Sequence, residues 1–148
     1  YAPYVDAFVD LETALKEADI ITLHVPLTSS TENMFAAPQF KQMKNNAILI
    51  NMARGKVVNT NDLIAALKNH EIAGAGLDTL GDETTYFSKK VSPADVPADF
   101  KKLVVMPNVV VTPHVAFMTT TVRNMVQVSL NDVAAIVEGK NVKNEVRF

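Results

Sequence analysis

The sequence predicts an α/β protein built on a parallel β-sheet. Short apolar runs rich in β-branched residues alternate with stretches that have the spacing of amphipathic helices. The apolar runs are continuous, and this pattern is typical of parallel strands that are covered on both faces. Because parallel strands need a crossover between them, the order strand, helix, strand, helix, strand supports the same fold class.

The first part of the chain predicts one helix followed by one strand. Residues 11–19, LETALKEAD, place leucine and alanine side chains on one face and charged residues on the other, which predicts a short helix. Residues 20–25, IITLHV, form an apolar run closed by Pro26, which predicts a buried strand. We interpret His24, inside this run, as a packed or inter-strand histidine.

The middle of the chain predicts a second strand between two helices. Residues 37–44 contain a proline in the first turn of a brief helix, a position that proline favours. Residues 47–51, AILIN, predict a strand. Residues 60–70 predict a helix with Thr60 or Asn61 as its N-cap, because hydroxyl and amide side chains satisfy free backbone N–H groups there.

Two further strands, a long connection and a long helix complete the predicted order. Residues 72–78 and 109–114 predict strands, and residues 79–108 form the connection between them. Connections of that length in compact domains are usually functional or mobile. Residues 119–138 predict an amphipathic helix that ends before Gly139, a residue suited to the left-handed conformation after a helix.

Composition excludes several classes of protein. The chain has 148 residues, a formal net charge of -2 and no basic tract, so we predict no nucleic-acid partner. No apolar run reaches the roughly 18 residues of a membrane span. The absence of cysteine excludes disulfides and fits a cytoplasmic location. The chain begins at Tyr1 without a signal-peptide pattern, which suggests a piece of a longer protein.

Chemically useful side chains follow successive predicted strands. Ligands in open parallel sheets bind beyond the carboxyl ends of the strands. The residues at these ends are Pro26, Arg54, Asp78 and His114, and Glu83 follows Asp78 in the long connection. Taken singly, each has a plain alternative: Arg54 as a solvated loop arginine, His114 as a capped structural residue, Asp78 as a turn or capping aspartate, and Glu83 as a polar loop residue. The set predicts one anion-binding, proton-transferring site, with no metal.

Several of these segments resemble one enzyme family. MKNNAILINMARGKVVN, residues 43–59, resembles the third signature of the D-isomer-specific 2-hydroxyacid dehydrogenases. LHVPLTSSTENM resembles the strand and turn that pass the nicotinamide side of their NAD. GLD, then Glu83, then NVVVTPHVAF match the remaining landmarks in order. The 31-residue interval from Glu83 to His114 looks most like the D-lactate dehydrogenase branch.

This resemblance covers essentially the whole chain and implies its fold and activity. Residues 1–138 would be the second half of a Rossmann-like, doubly wound NAD-binding domain. Residues 139–148 would begin the return to an absent substrate domain. The implied activity of the longer protein is NAD-dependent reduction of a 2-oxo acid, with pyruvate favoured, to the D-2-hydroxy acid. The family also implies a homodimer.

The resemblance also implies a role for each site residue. Arg54 would clamp the substrate carboxylate, His114 would donate the proton to the carbonyl oxygen, and Glu83 would orient the imidazole. Phe117 would wall the substrate pocket, although ordinary core packing is the alternative for an aromatic residue. The implied cofactor-binding residues are Val25, Pro26, Thr31, Met52, Ala53, Arg54 and Asp78.

Two departures from the family pattern matter. Asn59 stands where the family usually has aspartate, but asparagine caps a helix equally well. No Gly-x-Gly-x-x-Gly motif occurs among only five glycines, so the pyrophosphate loop is missing and the chain alone is predicted to be inactive. The alternatives are a dehydrogenase for bulkier 2-oxo acids such as D-2-hydroxyisocaproate, a nucleotide-sensing corepressor-like protein, and a structural remnant.

Overall fold

The computed structural model describes residues 4–87 and 89–140. The chain divides into two compact units, residues 1–114 and residues 115–148. The predicted boundary between residues 138 and 139 stays a prediction, because residues 141–148 lie outside the described residues. The two units are described separately below.

A parallel four-stranded sheet forms the centre of the first unit, as the sequence predicts. Its strands lie side by side in chain order, and every neighbouring pair is parallel. The register pairs Ile20 with Ile48, and Ile48 with Gly74. The strands are β1 (Ile20–Leu23), β2 (Ile48–Asn51), β3 (Gly74–Leu77) and β4 (Val109–Val111).

The described residues of the first unit form four α-helices, and one of them was not predicted. They are α1 (Leu11–Glu17), α2 (Ala37–Phe40), α3 (Thr60–Lys68) and α4 (Ala98–Val104). Helix α4 lies inside the connection of residues 79–108, which the sequence pattern had left without regular structure. Short 3-10 turns occupy Gly55–Val57 and Glu83–Thr85. The connections between successive strands therefore contain α2, α3 and α4.

Side-chain caps fix where two of these helices begin. The Asp10 carboxylate accepts the N–H of Thr13 at 2.8 Å, and this backbone hydrogen bond holds the pKa of Asp10 below its ordinary value. At α3 the N-cap is Asn59, whose side-chain oxygen accepts the N–H of Asp62 at 3.1 Å. The expectation that Thr60 or Asn61 caps this helix was wrong. The cap is Asn59, in line with the expectation that an asparagine at this position caps a helix as aspartate does.

The sheet is buried on one face and partly exposed on the other. Leu23, Leu49 and Leu77 are almost fully buried on one face, while Ile20 and Val110 on the other are 58% and 66% exposed. Helix α2 contacts α3, and α3 contacts α4, so the connecting helices form one layer. Consecutive parallel strands joined by right-handed crossovers place their helices on the same face. Within the first unit these helices cover one face of the sheet, and cover of the other face stays a prediction.

The second unit is built around α5 (Thr120–Val137). Gly139 follows it with φ of +72°, the left-handed conformation predicted after this helix. Much of the apolar surface of α5 is exposed, including Met125, Leu130 and Val133. Within the described ranges, no helix is both long enough and apolar enough to cross a membrane.

Candidate active site

The carboxyl ends of β1 and β2 border a cleft of about 540 Å³. Because neighbouring strands are parallel, these ends meet at the same edge of the sheet. The cleft brings together most of the residues predicted to bind the cofactor, together with two that were not predicted. Its lining residues are His24, Val25, Pro26, Leu27, Met52, Ala53 and Arg54.

The loop after β1 is held by the hydroxyl of Thr31. This hydroxyl donates to the carbonyl oxygen of Pro26 at 2.7 Å and accepts the N–H of Thr28 at 2.8 Å. In this structure Thr31 therefore fixes the turn that carries Pro26 to the edge of the cleft. A direct contact of Thr31 with a cofactor stays a prediction.

His24 is exposed and lies beyond the end of β1, since this strand ends at Leu23. Its Nε2 lies 3.0 Å from the hydroxyl of Thr22, and its side chain lines the cleft. The interpretation of His24 as a packed histidine was wrong. Because Val25 is apolar, the sequence pattern predicted that β1 continues past His24. Pro26 was the only sequence signal for the end of this strand.

A buried asparagine shapes the loop that carries Arg54. Asn51 is fully buried at the end of β2; its side-chain oxygen accepts the N–H of Ala53 at 3.0 Å, and its amide donates to the carbonyl oxygen of Arg54 at 3.1 Å. These two bonds replace the strand ladder once the chain leaves the sheet. The guanidinium of Arg54 donates to the carbonyl oxygen of Ala53 at 2.7 Å, while the residue as a whole stays exposed.

Gly55 brings the arginine loop against the segment that leads to Glu83. A Cβ atom at this position would lie 1.9 Å from the carbonyl carbon of Leu80 and 2.3 Å from the backbone nitrogen of Gly81. No side chain fits in that space, so glycine is required by this close backbone approach. The loops that carry Arg54 and Glu83 are therefore in direct contact.

The imidazole of His114 and the carboxylate of Glu83 form a short contact across the sheet edge. Nδ1 of His114 lies 2.6 Å from Oε1 of Glu83, although 31 residues separate them. The other carboxylate oxygen of Glu83 accepts the N–H of Leu80 at 2.7 Å. The side chain of Glu83 is 13% exposed, and that of His114 is 41% exposed. A fixed carboxylate thus orients a ring that remains accessible to a small molecule.

Asp78 directly follows β3, the strand that lies between β2 and β4. Arg54 follows β2, and His114 follows β4. The N–H of Asp78 donates to the carbonyl oxygen of Asn51 at 3.0 Å, and its carboxylate accepts the hydroxyl of Thr112 at 2.5 Å. Only 6% of this residue is exposed. Sequence reasoning predicted Asp78 but missed Thr112, whose place directly before Pro113 and His114 was the available signal.

An aromatic cluster anchors the long connection that carries Glu83. The ring of Tyr86 lies 4.9 Å from that of Phe87 and 5.2 Å from that of Phe100, measured between centroids. Burial, with a smaller contribution from nearby carboxylates, raises the pKa of Tyr86 to about 12. This part of the connection is therefore packed rather than loose.

Phe117 belongs to the second unit. It is 57% exposed, so it is not a core residue there. It lines a cleft of about 310 Å³ together with Met118, Thr119, Val122 and Arg123. Its role as a wall of the substrate pocket stays a prediction.

The first unit presents groups that suit the nicotinamide end of a dinucleotide and a small organic acid. The cleft has polar and apolar walls, and the buried carboxylate of Asp78 lies on the next strand. A cation, an imidazole and its carboxylate partner follow successive strands of the same edge. Across the described part of the chain, no cluster of His, Cys, Asp or Glu is suited to hold a metal.

The chain is similar to dehydrogenases along nearly all of its length. A family model described as D-isomer specific 2-hydroxyacid dehydrogenase, NAD binding domain, matches residues 2–116. A glycerate dehydrogenase of Methylorubrum extorquens is 44% identical over 91% of this chain and 40% of its own length. A D-lactate dehydrogenase of Lactiplantibacillus plantarum is 40% identical over 98% of this chain and 43% of its own length.

A solved structure gives the same result at the level of the fold. The crystal structure of D-lactate dehydrogenase with NAD+ from Lactobacillus jensenii superposes with a TM-score of 0.87 and 57% sequence identity. The match covers 95% of this chain and 43% of that one. The chain thus spans less than half the length of the proteins it resembles.

Proposed function

The chain belongs to the D-isomer-specific 2-hydroxyacid dehydrogenase family, by its match to the family's NAD-binding domain, and we propose that it works within a longer NAD-dependent enzyme that reduces a small 2-oxo acid. The resemblance seen in residues 43–59, the Rossmann-type fold and the expectation of NAD are confirmed at this level. The observation that carries the proposal is the 2.6 Å contact between His114 and Glu83. It pairs an accessible imidazole with a fixed carboxylate at the ligand-binding edge of the sheet.

In the proposed reaction, His114 acts as the general acid. NADH, when bound, supplies the hydride to the carbonyl carbon of the 2-oxo acid. Nδ1 of His114 is engaged by Glu83, so Nε2 is the nitrogen that gives its proton to the carbonyl oxygen and yields the hydroxyl group. Glu83 fixes the orientation of the ring through its contact with Nδ1. In the reverse direction the neutral ring takes the proton back.

Arg54 binds the substrate carboxylate in this proposal. A guanidinium is permanently charged and planar, and it holds both oxygens of a carboxylate at once. The intrachain bond from Nη1 to the carbonyl oxygen of Ala53 leaves Nε and Nη2 for such a pair. The same cation polarises the neighbouring carbonyl group, so both the affinity for substrate and the reaction rate depend on it.

The remaining predicted residues contact the cofactor. Val25, Pro26, Met52 and Ala53 line the nicotinamide side of the cleft, and Asp78 binds the carboxamide or ribose. Phe117 narrows the pocket, which favours pyruvate over branched 2-oxo acids. We further propose that the longer protein is a cytoplasmic homodimer, in keeping with the absence of cysteine and with the family.

Two other functions are less well supported. A dehydrogenase for bulkier substrates, such as D-2-hydroxyisocaproate, would share the same catalytic groups and differ at the pocket. A nucleotide-sensing corepressor would need no proton donor, whereas this chain combines Arg54, Glu83 and His114.

Steady-state kinetics of the longer enzyme with pyruvate and with a branched 2-oxo acid test the proposal. His114→Gln should lower kcat by roughly 10²-fold or more, the scale of general acid catalysis. Arg54→Gln should chiefly raise KM for the 2-oxo acid. Lys41 is exposed and directly follows helix α2. The variant Lys41→Gln serves as the control and should have the kcat and KM of the wild type.

The contrary outcomes are equally definite. An unchanged kcat for His114→Gln would remove the proposed proton donor, and faster turnover of the branched acid would favour the second candidate. The present chain alone should not oxidise NADH in this assay, because it has no glycine-rich pyrophosphate loop. Turnover by the isolated chain would overturn that expectation.

A further inference from the structure

The three residues 112–114, which end in the proposed catalytic histidine, are bound to Asp78 at two points. The hydroxyl of Thr112 donates to Oδ1 of Asp78 at 2.5 Å. The N–H of His114 donates to the backbone carbonyl oxygen of Asp78 at 2.9 Å. The N–H of Thr112 also continues the ladder by donating to the carbonyl oxygen of Leu77 at 3.0 Å. One short turn therefore holds both the side chain and the backbone of the proposed cofactor-binding aspartate.

The same turn sets the direction of the imidazole. His114 has φ of +54°, a left-handed conformation that a residue with a Cβ atom adopts only when its surroundings enforce it. Its N–H is shared between the carbonyl oxygens of Asp78 and Thr112, at 2.9 and 3.0 Å. From this conformation Nδ1 reaches Oε1 of Glu83. The carboxylate of Asp78 and the ring of His114 are thus positioned by one tight turn.

We infer that Thr112 is a positioning residue that couples the Asp78 carboxylate to the His114 imidazole, and this inference rests on the proposed function. Its hydroxyl binds the carboxylate of Asp78, a residue that is only 6% exposed, and fixes the rotamer of that side chain. Its backbone belongs to the turn that aims the catalytic ring. Binding of the cofactor against Asp78 is thereby linked to the orientation of the proton donor. Thr112 itself contacts neither substrate nor reacting atoms in this inference.

Removal of the hydroxyl separates this role from a purely steric one. Thr112→Val keeps the branched shape and deletes the donor, whereas Thr112→Ser keeps the donor and deletes a methyl group. In the longer enzyme, Thr112→Val should raise the dissociation constant for NADH about tenfold, the scale of one hydrogen bond to a charged group. The KM for the 2-oxo acid should change much less. Thr112→Ser should bind NADH within about twofold of the wild type.

A double-mutant cycle with Asp78→Asn tests whether the effect passes through Asp78. If it does, Thr112→Val should add little to the loss of NADH affinity already caused by Asp78→Asn. Thr13→Val, the same replacement in helix α1, is the control and should leave NADH affinity unchanged. Multiplicative effects of the two substitutions, or failure of serine to restore affinity, would overturn the coupling.

A measurement without cofactor separates this inference from the proposed function. The chain contains three histidines, so the ring nitrogen resonances of His24 and His70 serve as internal references for those of His114 in NMR spectra. Thr112→Val should move only the His114 signals, Thr112→Ser should restore them, and Asp78→Asn should abolish the difference between wild-type and valine forms. Unmoved His114 signals would refute the coupling even in an active enzyme. These shifts in the present chain, together with a longer wild-type enzyme that does not bind NADH, would refute the proposed function alone.

Discussion

Thr79, the residue after Asp78, places a hydroxyl group inside the protein. Thr79 is 1% exposed, and its Oγ1 has no hydrogen-bond partner in the described structure. Burial of a hydroxyl without a partner costs on the order of 1–3 kcal/mol in protein mutational data. By contrast, the carboxylate of the neighbouring Asp78 accepts a hydrogen bond. The free-energy cost of an unpaired buried group therefore applies to Thr79 and not to Asp78.

Thr79→Val should therefore stabilise the fold. Valine has nearly the same shape and removes the unsatisfied oxygen, so the free energy of unfolding should rise by about 1 kcal/mol. Urea unfolding of both forms measures the change, and the partnered hydroxyl of Thr85 provides the matched control, Thr85→Val. A loss of stability in Thr79→Val would mean that the hydroxyl is satisfied in solution.

The candidate site could be predicted from residues whose chemistry is unusual for their place in the chain. Arg54 follows an apolar strand, and His114 follows Thr-Pro, so each interrupts a pattern that the sequence makes visible. Thr112 and Asn51 were missed because their work is to hydrogen-bond neighbours that only the folded chain brings close. Sequence spacing carries no direct signal for such contacts, since they depend on the register between strands.

At the level of elements, the alternation of strands and helices was predicted well and their limits less well. Each predicted strand has a counterpart among β1–β4, but each observed strand is shorter. The predicted runs extend into loops after β1 and β4, before β2 and on both sides of β3. Helix α4 was missed because it has only seven residues and buries only Leu103 fully, so it gives little helical periodicity. The composition of the strands does not show whether helices cover both faces of the sheet. The order of the strands in the sheet decides on which face each connecting helix lies.

The connection between β3 and β4 gives a prediction at alkaline pH. Because burial raises the pKa of Tyr86 to about 12, the folded chain keeps the neutral phenol when an unfolded one, with a pKa near 10, has lost its proton. The stability from this group is therefore fully present below about pH 10 and is lost as pH rises towards about 12. Tyrosinate absorbance should show one late-ionising tyrosine, which Tyr86→Phe removes.

The control for this titration is Tyr4→Phe, since Tyr4 is 92% exposed. Its replacement should leave the late component unchanged. Absence of a late component while the chain is still folded would contradict the packing of Tyr86 against Phe87 and Phe100.

At the scale of the whole molecule, one face of the sheet in the first unit exposes apolar side chains. In the first unit, Ile20, Ile48 and Val110 lie on the uncovered face of the sheet and are 58%, 39% and 66% exposed. Strands β1 and β4 form the two edges of this sheet, and each leaves one side without a partner strand among the described residues. Exposed apolar faces and open strand edges promote association.

We therefore expect this chain, when purified alone, to associate in a concentration-dependent way. Ile48 lies in the middle of the row formed by Ile20, Ile48 and Gly74, so Ile48→Lys places a charge at the centre of the uncovered face and should shift the population towards the monomer. Light scattering coupled to size-exclusion chromatography measures the mass across a dilution series. Glu32→Gln, at an exposed loop position away from this face, raises the net charge by the same one unit and should leave association as in the wild type. A wild-type chain that remains monomeric at every concentration would show that the uncovered face does not need a partner. An equal response to both substitutions would mean that net charge, rather than this face, controls assembly.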